Sequence, residues 1–281
     1  MSFFASNEAN RPFGEPGGIS PLQLLDDRMS RYSILILGGS HMFPMKHAVD
    51  RAGPESTKNE YIFKPIADFR PDARIVDPID GGWTDYTLNA DLDAWMAQGI
   101  HADRLALTIS GSDYLSLCIS NRPVHFDVTL PEQPDLEEIE GALMIPHAEI
   151  MRKMRAEIRH IVLGVELIRA RCSVPITYLE SPPPIEDNDH IIAHAGWAAG
   201  GIQAWGVSRP ILRYKLWRIH SRVVADACLA NGIEFLPLPP EVLNERGYMS
   251  EKAIANDVMH ANEWFGSRMA AQLDAVYGSA Q

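Results

Sequence analysis

Ser33-Ile34-Leu35-Ile36-Leu37-Gly38-Gly39 is a short, nearly continuous apolar run that ends in two glycines, and Ser40-His41 follows at once. An apolar run without alternation is how a strand covered on both faces reads, as strands do inside a parallel sheet. Pro44 comes next. It suits the first turn of a helix, where its missing N–H costs nothing. The chain then turns at Gly53-Pro54.

Runs of the same kind recur as RIVDPI (74–79), RLALTIS (104–110), PITYLES (175–181) and IEFLPLP (233–239). Helix-like segments lie between and after them. These are DLDAWMAQG (91–99), a long amphipathic stretch over 147–171, a segment opened by Ser208 and Pro210 and closed by Gly232, and a last one over about 261–277. Strands alternating with helices predict an α/β fold. The expected form is a three-layer α/β/α sandwich around a mostly parallel five-stranded sheet, flavodoxin-like in plan. Residues 1–30, rich in Gly, Pro, Asn and Ser, read as a loosely attached arm, and 31–281 as a single domain without internal repeats. Two inserted loops, near 118–145 and 182–207, interrupt the alternation. Loops of that length are uncommon unless they serve as lids or binding walls. Both leave the carboxyl ends of predicted strands, where open α/β sheets bind ligands.

Composition narrows the function. The chain has 281 residues, 46% hydrophobic and 22% charged, which is ordinary for a soluble globular protein. Its 25 Lys and Arg against 37 Asp and Glu give a formal charge of −12. That weighs against a nucleic-acid partner, which needs clustered cations. Three scattered cysteines, Cys118, Cys172 and Cys228, suggest neither a disulfide framework nor a thiolate zinc site, and fit a reducing compartment. The N-terminal residues do not read as a signal peptide, and no apolar stretch is long enough to span a membrane. The expectation is a cytoplasmic protein with no membrane partner. The oligomeric state stays open, a homo-oligomer included.

Gly38-Gly39-Ser40-His41 places a serine at the carboxyl edge of the sheet. Its own N–H would open the following helix, where it could donate to an oxyanion. Alone, the same turn also reads as plain loop chemistry or a phosphate-type loop. Near the other end, Asn256-Asp257-Val258-Met259-His260-Ala261-Asn262 precedes Gly266 and the closing helix. A serine nucleophile needs a base, and the imidazole needs an anion to fix its tautomer. Asp and His three residues apart on a tight loop can supply both. Alternatively, Asp257 is a helix cap and His260 merely its neighbour.

Together, from about residue 33 to 277, these blocks make the sequence resemble the SGNH or GDSL hydrolases. That family carries its nucleophile in a G-x-S block after the first strand and a D-x-x-H block before the last helix. The resemblance implies Ser40 as nucleophile, His260 as base and Asp257 as orienter, with no cofactor. It also implies two oxyanion donors besides the Ser40 amide: a glycine after the second strand, here Gly82 of DPIDGGWTDY, and an asparagine after the third. The chain departs from the pattern twice. It reads GGSH in place of the commoner GDS, and Ser112 of Ser110-Gly111-Ser112-Asp113 stands where the asparagine would be. A hydroxyl is shorter and donates one proton where an amide offers two. Loss of an oxyanion donor typically costs roughly 2.7–4 kcal/mol of transition-state stabilisation.

His41, Asp113, Tyr114 and Trp197 are candidate pocket residues, with Tyr114 equally readable as a packed aromatic and Trp197, like Trp205, as a pin for its loop. His190 and His194 with Asp187 and Asp189 have a spacing that can hold a divalent metal. A polar loop over the site mouth is the simpler reading, and no metal is assigned. Arg209, Arg213, Lys215, Arg218 and Arg222 form a basic ridge expected to be a solvated helix face. Met42, Met45, Met151 and Met154 suit core or rim packing. The expectation is a serine hydrolase acting on small-molecule or carbohydrate esters with small acyl groups such as acetyl. The alternatives are an acyltransferase using the same triad, and an inactive domain of that fold that binds a glycan or protein.

Overall fold

The computed structural model of the protein describes residues 31–79 and 85–278. Its strands are β1 (Ser33–Gly38), β2 (Glu60–Pro65), β3 (Val76–Pro78), β4 (Tyr86–Leu88), β5 (Arg104–Thr108), β6 (Phe126–Asp127), β7 (Leu143–Met144), β8 (Ile176–Leu179) and β9 (Glu234–Leu236). The helices are α1 (Phe43–Ala52), α2 (Ala90–Met96), α3 (Leu115–Cys118), α4 (His147–Glu157), α5 (Arg159–Arg171), α6 (Asn188–Ala193), α7 (Ala199–Trp205), α8 (Pro210–Ala230) and α9 (Glu263–Tyr277). Five strands form the central sheet in the order β2-β1-β5-β8-β9, every neighbouring pair parallel. This is the α/β sandwich that the apolar runs predicted. Helices α1 and α9 pack together in one layer, and α4 and α5 pack on α8 in the other.

The apolar runs behave as buried strands. Ile34, Ile36 and Leu37 of β1 and Leu105, Ala106 and Leu107 of β5 are fully enclosed. One strand differs from expectation. The run 74–79 does not enter the central sheet: β3 pairs antiparallel with β4 in a separate two-stranded ribbon. Pro78 has no N–H for a ladder, which confines it to edges and short pairings. The second strand of the sheet is instead Glu60-Tyr61-Ile62-Phe63-Lys64-Pro65 at its edge. Its side chains begin by alternating in burial, Glu60 and Ile62 exposed and Tyr61 and Phe63 partly buried, which suits a strand covered mainly on one face.

The helix expected over 147–171 breaks at Ile158 (φ −97°, ψ 22°) into α4 and α5. Helix α8 starts with Arg209 at its N-cap and Pro210 inside the first turn, one residue later than the Ser208 opening. The basic ridge on α8 is a larger correction, because its centre is not solvated. Arg213 and Lys215 are buried to 0% and 1% exposure. Lys215 Nζ bonds both carboxylate oxygens of Asp127 at 2.9 and 3.0 Å and the Glu137 carbonyl at 2.8 Å. Arg213 donates to the carbonyls of Ile185 and Glu186 at 3.0 and 3.1 Å and to Asn188 Oδ1 at 2.8 Å. The two cations therefore tie the two inserted loops to α8. The ends of the ridge, Arg209 and Arg222, are exposed and pair with Glu137 and Asp226.

The inserted loops also join each other. Asn121 N–H donates to the Gly206 carbonyl at 2.9 Å and Ser208 N–H to the Ile119 carbonyl at 3.2 Å. The first loop carries the short β6–β7 pair and the second carries α6 and α7. Met42, Met45 and Met154 lie in the core, with Met151 partly buried against it.

Candidate active site

In a sheet ordered this way the chain reverses direction beside β1, between it and β5, and ligands bind at such a switch point beyond the carboxyl ends of the strands. Two of the sequence blocks lie there. Ser40 follows β1 and opens a short 3-10 turn, Ser40–Met42, that runs into α1. Ser110–Asp113 follows β5. Gly39 N–H donates to the Thr108 carbonyl at 3.1 Å, which ties the two loops at their roots. The Ser40 side of the cleft is exposed.

The third block comes from the far end of the chain. Asp257–His260 precedes α9, and α9 lies against α1. Their approach is close at Gly266, where a Cβ would stand 2.1 Å from the Pro44 carbonyl oxygen and 2.4 Å from the Met45 nitrogen. Only glycine permits that spacing, and it brings His260 over Ser40. Nε2 of His260 lies 2.8 Å from Ser40 Oγ, and Nδ1 lies 2.8 Å from Asp257 Oδ2. The other Asp257 oxygen accepts the backbone N–H groups of Met259 and His260 at 2.8 and 2.6 Å. Asp257 is thus the hub of a turn and not a helix cap. Asn262 caps α9, its Oδ1 accepting Phe265 N–H at 3.2 Å. Burial alone would raise the Asp257 pKa, but those two amides and the His260 ring hold it below the ordinary carboxylate value.

His41 packs at a tilt against His260, ring centroids 4.8 Å and planes 39° apart, and against Gly111, whose missing side chain leaves it room. Its Nδ1 is buried without a hydrogen-bond partner among the described residues. Burial, then the neighbouring His260, lowers its pKa to about 3, so the ring is neutral near neutrality. Ser112 Oγ is half-buried and donates to Met259 Sδ at 2.9 Å. Asp113 borders the same cleft as Ser40, His41 and Ser112, together with Ile66, Ile75, Ile109 and Ile161. Gly82 lies outside the described residues.

The remaining expectations divide. Tyr114 is buried at 2% exposure and packs on His220, ring centroids 5.7 Å apart, as a core aromatic. Trp197 is exposed and is not among the described residues lining the Ser40 cleft. His190 and His194 stack on each other at 4.3 Å, and each faces a backbone carbonyl, of Asp257 at 3.1 Å and of His190 at 2.9 Å respectively. Asp187 caps α6. Among the described residues no group of three or more His, Cys, Asp or Glu is placed to hold a metal ion. Sequence reasoning missed two residues that line the cleft, Ser110 and His160, and His220, which is buried behind Ser110. Ser110 is adjacent to candidate residues, but nothing in the helical patterns of α5 and α8 marks either histidine.

No helix among the described residues is long and apolar enough to cross a membrane. No protein-family model matches the chain, and no curated protein matches it. Solved structures with a similar fold include a carbohydrate acetylesterase from Sinorhizobium meliloti, 12% identical over 88% of this chain and 100% of that one, with a TM-score of 0.42. Another is an aryl esterase from M. smegmatis, 12% identical over 87% and 97%, TM-score 0.44. A third is the periplasmic domain of a lipopolysaccharide acetyltransferase from Salmonella ser. Paratyphi A, 13% identical over 92% and 89%, TM-score 0.44. Likeness this distant says nothing of the reaction, which has to be read from the residues of this chain.

Proposed function

We propose that this chain is a serine hydrolase that cleaves esters of small acyl groups through a covalent acyl-enzyme. The observation that carries the reading is the unbroken chain from Asp257 through His260 to Ser40, with 2.8 Å at each step. The Asp257 carboxylate accepts the proton on Nδ1, which fixes the tautomer and leaves the Nε2 lone pair to accept the Ser40 hydroxyl proton. Ser40 Oγ attacks the acyl carbonyl while His260 takes that proton. The imidazolium then returns it to the leaving alkoxide, and the alcohol departs. Water repeats the sequence on the acyl-enzyme and regenerates Ser40. Exposure of Ser40 favours water as the acceptor.

The Ser40 amide, at the start of its 3-10 turn, is one oxyanion donor in this reading, with Gly82 and Ser112 as the others. Ser112 must first give up its bond to Met259. The described part of the cleft encloses ≈ 230 Å³, which suits a small group. A fluorophosphonate probe tests the proposal. Wild-type protein should label at Ser40 and turn over p-nitrophenyl acetate, and Ser40→Ala should do neither. A wild-type protein that does neither would leave the inactive, ligand-binding reading in its place.

A further inference from the structure

The proposed chemistry leaves a second set of polar groups in the same cleft unused. Asp113 Oδ2 accepts the Ser110 hydroxyl at 2.9 Å and the Gly111 N–H at 3.4 Å. Ser110 Oγ in turn lies 2.7 Å from Nε2 of His220, a residue of α8 that is 1% exposed. Since the single Ser110 proton goes to Asp113, the hydroxyl accepts from His220, which fixes that ring as the Nε2–H tautomer. The support continues inward. Ser181 Oγ donates to the Ser110 carbonyl at 3.0 Å, and Trp217 Nε1 donates to the Ser181 carbonyl at 3.2 Å. A buried chain of hydrogen bonds thus anchors one oxygen of Asp113.

The other oxygen, Oδ1, faces Nε2 of His160 at 3.7 Å, too far for a direct hydrogen bond. His160 is 47% exposed at its side chain, and both residues border the cleft that Ser40 occupies. A carboxylate fixed from beneath and an imidazole just beyond bonding distance leave room for one bridging group.

Resting on the Ser40 reading, we infer that Asp113 and His160 form a specificity-determining subsite for the alcohol side of the ester, which takes a neutral hydroxyl near the scissile bond. That hydroxyl donates to Asp113 Oδ1 and accepts from His160 Nε2. A substrate carboxylate is disfavoured, because it meets the Asp113 charge. An alkyl group would displace water from Asp113 without replacing its hydrogen bond.

Glycerol monoacetate, which carries such hydroxyls, and ethyl acetate, which does not, separate the cases. Binding is measured by NMR titration of Ser40→Ala protein, and turnover of both esters is measured on wild type. Ser40→Ala is expected to bind glycerol monoacetate at least tenfold more tightly than ethyl acetate. Adding Asp113→Ala should abolish that preference, and adding His160→Ala, on the exposed side and clear of the buried chain, should reduce it severalfold. Equal binding of the two esters, or a preference that survives both added changes, overturns the subsite. If the Asp113-dependent preference is present but wild type hydrolyses neither ester, the nucleophile reading falls and the subsite stands. If wild type hydrolyses both with equal kcat/KM, the subsite falls and the nucleophile stands.

Discussion

The Ser112 hydroxyl has one proton, and in the resting site that proton goes to Met259 Sδ. A thioether is a weak acceptor, so a developing oxyanion can compete for the proton, but the hydroxyl must rotate to reach it. Ser112→Asn supplies two amide protons in place of one and is expected to raise kcat with KM little changed. Ser112→Ala removes the donor and should lower kcat by about 10-fold, less than the roughly 10²–10³ of a fully engaged oxyanion donor. Steady-state kinetics on p-nitrophenyl acetate reads both. If Ser112→Ala leaves kcat untouched, the residue is no part of the oxyanion site. Asp257→Asn keeps the turn's shape but offers Nδ1 the wrong partner, and kcat should fall by about 10⁴. Asp257 and His260 were legible as a pair because they lie within four consecutive residues. His160 and His220 were not, because the carboxylate they serve lies on a different loop.

Helices α1 and α9 carry Ser40 and His260 toward each other, and Gly266 sets their spacing. A Cβ there meets backbone, at 2.1 Å from the Pro44 oxygen, and backbone cannot swing aside as a side chain can. Gly266→Ala is therefore expected to part the helices. It should lower the melting temperature and, in whatever folds, reduce kcat, because the Ser40–His260 bond spans that contact. Full activity in a folded Gly266→Ala protein would show that the loops, not the helix spacing, hold the pair together. Helix α8 shows why its ridge was misread. Cations spaced along a helix look solvated when their partners are unknown, and Asp127 is 88 residues from Lys215 in the chain. Both side chains of that pair are buried. Truncating one partner leaves a buried charge alone, so Lys215→Met should cost about 3–5 kcal/mol in urea unfolding. Lys215→Met with Asp127→Leu removes both charges and should recover much of that loss.

Across the whole molecule, the order β2-β1-β5-β8-β9 turns two separate sequence blocks into neighbours at one crevice. The alternation of runs and helices made that plan legible. The edge strand β2 was not, because an edge need not be uniformly apolar. The same burial that builds the crevice sets the response to acid. His220 is held down to about 4 and His41 to about 3, chiefly by desolvation, from an ordinary 6.5. Between about pH 6.5 and 4 the unfolded chain binds protons that the folded chain refuses, so stability falls as pH falls through that window. Asp257 and Asp113 are shifted downward, so what they contribute is present above about 3.9 and is lost only as pH falls below it. The histidine window therefore comes first on acidification. The acidic surface acts the other way, since protonating some of its carboxylates relieves the repulsion of a −12 chain. The wild-type curve alone thus mixes two opposed effects, and a variant must separate them. His220→Gln keeps a donor for Ser110 and removes the titration. Its loss of unfolding free energy between pH 7 and 4.5 should be smaller than wild type's by roughly 2–3 kcal/mol. Parallel curves for the two proteins would mean that His220 takes up its proton without unfolding, and that its bond to Ser110 does not hold the neutral ring in place.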